Sequence, residues 1–169
     1  AMLMALMMTG AAVSADLVIG RATEQSSLDP LFARSGTNYS TSGQIFERLV
    51  MNDANNQLHP ALAVSWRAID RTTWDIKLRD GLLFHDGEKV LARDAAASLK
   101  RWAARDVYGQ TPGGFVESFG AADDRTIRIK LKSRSHLLPE ALGKPNRMPP
   151  VVMPGRLASA EPSQPTPAR

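Results

Sequence analysis

Between Thr73 and Arg79 polar and apolar positions alternate along the chain: Thr73, Asp75, Lys77 and Arg79 fall on one side, Trp74, Ile76 and Leu78 on the other. A period of two puts neighbouring side chains on opposite faces, so the pattern predicts a half-buried antiparallel strand. The same alternation returns over Thr126–Leu131, entered by the polar turn Asp123-Asp124. Asp80-Gly81 and Asp86-Gly87 flank Leu82–His85 and supply residues that tolerate the positive φ of tight reversals, which predicts a further extended segment near residue 82. From Arg93 to Asp106 the spacing becomes helical, with Ala95, Ala96, Leu99, Trp102 and Ala103 on one face.

The remaining elements are shorter. Leu17-Val18-Ile19-Gly20 is a continuous apolar run and reads as a first strand buried on both faces. Ile45, Phe46, Leu49 and Val50 predict a helix over 41–50, with Ser40, Thr41 or Ser42 as its cap. Phe115–Ala122 reads as a short helix or an irregular packed segment, and Ser135–Leu142 as a short helix stopped by Pro149-Pro150. The predicted class is α+β: a small mixed or antiparallel sheet from strands near 17, 74, 82 and 127, packed by helices near 45, 98 and 138.

Composition divides the chain in three. Residues 1–15, AMLMALMMTGAAVSA, are apolar but shorter than the roughly 20 residues a membrane-spanning helix needs. They read as a signal-peptide remnant with a small-x-small cleavage site at Val13-Ser14-Ala15, or else as a buried N-terminal helix. Residues 16–157 hold every periodic segment. Residues 158–169 contain three prolines and no large apolar side chain, which predicts a disordered tail.

The formal charge of +4 is spread along the chain among carboxylates, unlike the one-sided basic cluster that nucleic acid requires. With no cysteine, disulfides and thiolate metal sites are impossible. Catalytic arrangements are also missing. Ser26, Ser27 and Ser65 lack a glycine-flanked elbow, His59, His85 and His136 show no ligand spacing, and Gly113-Gly114 lacks the Lys and Ser or Thr of a phosphate loop. Trp66, Trp74 and Trp102 fall on inferred buried faces, where core packing outweighs a stacking role.

The segment Pro60-Ala61-Leu62-Ala63-Val64-Ser65-Trp66, then Thr73-Trp74-Asp75-Ile76-Lys77-Leu78-Arg79-Asp80-Gly81 through Phe84-His85-Asp86-Gly87, then a helix with Ser98-Leu99-Lys100-Arg101, resembles one family. That family is the extracytoplasmic solute-binding proteins of peptide and nickel ABC importers, solute-binding protein family 5. The resemblance covers about 16–157, and members are much longer, so it implies an N-terminal fragment forming part of the first lobe of a two-lobed fold. It implies capture of a peptide or other small solute in the periplasm and delivery to permease subunits, with no enzymatic step, no cofactor and no nucleic acid. A non-transporting protein–protein interaction module is the alternative. The loop before the first helix lines the family's cleft, which places Thr37, Asn38 and Tyr39 as ligand contacts, against a plain helix-capping turn. The family's usual Ser or Thr cap before the later helix is replaced by Leu91-Ala92, a loss of about 1 kcal/mol. The unpaired edge of the first strand implies possible self-association.

Overall fold

The computed structural model describes residues 16–21, 23–25, 27–32, 35–110, 114–144 and 148–166, without the side chains of 108 and 109. The signal-peptide reading of residues 1–15 lies outside them. In chain order the elements are α1 (Gly36–Ile45), β1 (Val50–Asn52), β2 (Leu58–Pro60), β3 (Ala63–Ala68), β4 (Thr73–Leu78), α2 (Ala92–Ala103), α3 (Val107–Gln110), β5 (Val116–Ala121), β6 (Thr126–Leu131), α4 (Leu138–Leu142) and α5 (Gly155–Ala158). The class is α+β, as the patterning predicts.

One four-stranded antiparallel sheet of order β3-β4-β6-β5 forms the scaffold, with a two-stranded β1-β2 ribbon beside it. Ile76 pairs with Ile127, Trp74 with Ile129, and Phe119 with Ile129, so the apolar positions line one face. Helix α2 packs over β5 and β6 on that face. Its small residues Ala92, Ala95 and Ala96 allow close approach, and Leu99 and Trp102 fill the gap with Ile76, Ile127, Ile129 and Leu131. The opposite face is charged: Arg128 holds Asp75 through two 2.8 Å hydrogen bonds, and Lys130 reaches Glu117 at 2.9 Å. Asp94 compensates for the missing cap of α2. One carboxylate oxygen accepts from the backbone N–H of Leu91 (2.9 Å), the other from Gly155 (3.0 Å), which ties α5 to the same helix end.

Several expectations change. Leu17–Gly20 is irregular and exposed (Val18 by 89%), not a buried strand, because no strand among the described residues pairs with it to satisfy its backbone. The first helix lies at 36–45, not 41–50, because Ser35 caps it: its hydroxyl accepts from the Asn38 N–H at 3.2 Å. Polar contacts, not an apolar stripe, hold that helix, and Val50 already belongs to β1. The segment near 82 contributes only a Leu83–Lys89 bridge, a narrow hairpin whose Gly87 turns at φ +85°. Phe115–Ala122 yields β5, and Ala63–Ala68 is a strand that its mixed pattern conceals.

Residues 159–166, which composition assigns to a disordered tail, are held against the body. Arg105 donates to the Pro162 carbonyl (2.9 Å), Arg101 to the Gln164 carbonyl (2.9 Å), and the Thr166 N–H to Asp29 (2.8 Å). Part-buried side-chain hydrogen bonds substitute here for the apolar residues that the tail lacks.

Candidate functional site

Two adjoining hollows surround α1, and Leu28 lines both. The smaller, about 510 Å³, lies between the first turns of α1 and Ile19, Arg21, Thr23, Glu24 and Gln25. Thr37 and Thr41 sit one helical turn apart on its α1 wall. Arg21 Nη1 donates to the Thr37 carbonyl (3.0 Å) and to Thr41 Oγ1 (2.9 Å), while the Thr23 and Thr37 hydroxyls share a 2.9 Å hydrogen bond. The wall is therefore a row of short hydroxyls anchored by one guanidinium, suited to the polar backbone of a small solute.

The structure does not bring Thr37, Asn38 and Tyr39 together. Consecutive helical residues point about 100° apart. Thr37 faces the small hollow, Asn38 is buried with Ser42 on another face, and Tyr39 is half-buried, its N–H bonded to the Ser35 carbonyl at 3.1 Å. Sequence reasoning missed Arg21, Thr23 and Thr41. The Thr37/Thr41 spacing of four is the available signal, hidden when the helix is expected to begin at Thr41.

The larger hollow, about 800 Å³, is an open cleft between the end of α1, the 83–86 reversal and residues 152–157. Its walls are mostly apolar, with Ile45, Phe46, Leu62, Leu83, Val152 and Leu157. At its rim Arg156 pairs with Asp86 and, at 3.0 Å, with Glu88. The backbone N–H of Glu88, and then Arg156, hold the Asp86 carboxyl below its ordinary range. His85 also lines this cleft, His59 pairs with Asp53 at 3.0 Å, and His136 lies beside Trp74, so the three histidines stay apart.

Asp29 and Thr166 close one side of the cleft. The Asp29 side chain is 0% exposed and that of its partner Arg101 1%, and two hydrogen bonds of 3.1 and 2.8 Å join them in a fork. Leu31 N–H (3.0 Å) and the Thr166 N–H and hydroxyl (2.8 and 3.1 Å) complete the shell of Asp29. Burial pushes the Asp29 carboxyl up, but the Arg101 hydrogen bond and the backbone donors Thr166 and Leu31 outweigh it and hold the group below its usual range. This pair locks α2, the Asp29 turn and the last described residues together.

Residues 57–166 match the family described as bacterial extracellular solute-binding proteins, family 5 Middle. The probable peptide ABC transporter periplasmic-binding protein y4tO of Sinorhizobium fredii is 35% identical over 133 residues, covering 78% of this chain and 25% of that protein. The HTH-type transcriptional regulator SgrR of Escherichia coli O1:K1 is 30% identical over 112 residues, covering 66% of this chain and 19% of the regulator. Among solved structures, the periplasmic binding protein DppA of Helicobacter pylori, in complex with the peptide STSA, superposes with a TM-score of 0.63 at 24% identity. That match covers 80% of this chain and 30% of DppA. The chain thus spans about a quarter of the y4tO protein's length.

Proposed function

We propose, because this chain belongs to the bacterial extracellular solute-binding proteins of family 5, that it supplies one wall of the solute cleft in the substrate-binding component of an ABC importer. On this reading the solute is a peptide or a small molecule of similar polarity, captured in the periplasm and passed to permease subunits in the membrane. The observation that carries the reading is the hydroxyl-lined hollow of Arg21, Thr23, Thr37 and Thr41, which adjoins an open apolar cleft. Short polar groups beside an apolar trough suit a peptide backbone with its side chains. The peptide-transporter relative favours peptides over other solutes. No helix among the described residues is long and apolar enough to cross a membrane.

One wall buries one side of a solute, so affinity is modest without an opposing wall. Calorimetric titration with di- and oligopeptides is expected to show binding weaker than micromolar, weakened further by Thr37→Ala with Thr41→Ala. Submicromolar binding to this chain alone, or binding that ignores both threonines, contradicts the proposal. A second reading, a protein–protein interaction module without transport, is favoured by the SgrR match, since that relative is named a transcriptional regulator rather than a transporter component. Peptide binding separates the two.

We further propose that the chain self-associates through Leu17, Val18 and Ile19, which are exposed by 83, 89 and 64%. Edge strands β3 and β5 each carry a register irregularity, which blunts ladder pairing, so the apolar N-terminal run is the more effective contact. Analytical ultracentrifugation at micromolar concentration is expected to show dimers or larger species, reduced by Val18→Lys. A single monomeric species with a cooperative melt contradicts this.

A further inference from the structure

A third hollow, of about 400 Å³, shares no lining residue with the two around α1. Ala68, Asp70, Arg71 and Trp74 of the β3–β4 hairpin form one side, and Arg134, Ser135 and His136 the other. The hairpin turn is fixed by Asp70, whose Oδ1 accepts from the N–H groups of Thr72 (2.7 Å) and Thr73 (2.8 Å) and from the Thr72 hydroxyl (3.3 Å). That carboxylate is committed to the turn, and the turn carries Arg71 at its tip. Ser135 accepts from the Leu137 N–H (3.2 Å), which fixes the opposite stretch of chain. Arg71, Arg134 and His136 make no side-chain hydrogen bond or ion pair among the described residues, nor does the indole N–H of half-buried Trp74. The two guanidiniums outnumber the single carboxylate.

Three other cations of this sheet and its turns hold carboxylates: Arg128 takes Asp75, Lys130 takes Glu117 and Arg125 takes Asp80. In the hollow, two guanidiniums instead share the lining with an aromatic ring, Trp74. Guanidinium matches carboxylate and phosphate oxygens in pairs, and the ring gives a flat apolar face to whatever carries them.

We infer that this hollow is a binding site for a small aromatic anion, a carboxylate or a phosphate ester, held by Arg71 and Arg134 with its ring against Trp74. The inference is independent of the proposed solute wall, because Thr37 and Thr41 take no part. The experiment is a titration of the ¹⁵N-labelled chain with phenyl phosphate and, separately, benzoate, followed at the three indole N–H signals. Trp74→Phe assigns the reporter. A saturable shift of the Trp74 signal with at least one probe is expected, the better probe telling which anion the site prefers. Arg71→Gln and Arg134→Gln are each expected to weaken binding about tenfold. Both side chains are exposed, so the variants should melt with the parent, which the same samples check by circular dichroism. No saturable shift at millimolar probe, or a shift that the double variant retains, overturns the inference.

Discussion

Exchanging Asp29 for asparagine is expected to lower the unfolding free energy by about 3–5 kcal/mol, the cost of leaving a buried cation without its counter-charge. Arg101 is 1% exposed and cannot turn to water. Its fork loses the acceptor charge, and the N–H groups of Leu31 and Thr166 meet an amide where a carboxylate stood. A domain of this size is stable by about 5–15 kcal/mol, so the change removes a large share. Asp29→Leu combined with Arg101→Met should cost less than the single exchange, since removing both charges also removes their desolvation cost. Acidity gives a second handle. Asp29 titrates lower in the folded chain than in the unfolded one, so its contribution is fully present above the unfolded carboxylate value of about 3.9. It is lost as pH falls from there through the folded value, and Asp29→Asn should flatten that part of the profile. Denaturant unfolding across that window checks both statements. A loss below about 1 kcal/mol, the range of an exposed pair, would contradict the burial of Asp29 and Arg101.

The largest expected packing effect is at Trp102. It is 2% exposed, sits between α2 and the sheet, and donates its indole N–H to the Met148 carbonyl at 2.8 Å. Trp102→Ala should cost about 3–5 kcal/mol through lost burial and the cavity left behind. Trp102→Phe keeps most of the ring and isolates the hydrogen bond, worth about 1 kcal/mol. Equilibrium unfolding by urea separates the two. Trp66 and Trp74, half-buried at the edge of the same core, should each cost less on truncation. A small loss at Trp102 alongside a larger one at Trp66 would contradict that order.

What could be read from the chain depended on whether apolar period decided the local structure. Strands β4 and β6 and helix α2 each bury a periodic set of apolar residues, and the patterning located them within a few residues. The two Asp-Gly reversals appear as glycines at φ +70° and +85°. Helix α1 escaped because its buried positions are Asn38 and Ser42, polar residues that no hydropathy pattern marks as a core face. The apolar residues at 45–50 pointed to a helix over that stretch, whereas the Ser35 cap starts one at Gly36 that has run out by Ile45.

The tail misled for a related reason. It contributes carbonyls and an N–H to Arg101, Arg105 and Asp29, partners up to 137 residues distant in sequence. Thr37, Asn38 and Tyr39 all lie in the first half of α1, and a helix cannot aim three successive side chains at one solute. The hollow instead takes Thr37 with Thr41 and draws Arg21 and Thr23 from a segment expected to be a strand and its exit.

Whether this surface receives a solute without altering it is best tested by amide spectra of the labelled chain recorded as an oligopeptide mixture is added, with the peptides weighed by mass spectrometry afterwards. Shifts gathered at Arg21, Thr23, Thr37, Thr41 and the lip around Ile45 and Leu83, with every peptide recovered intact, are the expected result. Shifts confined to other regions, or peptides returned cleaved, would contradict it.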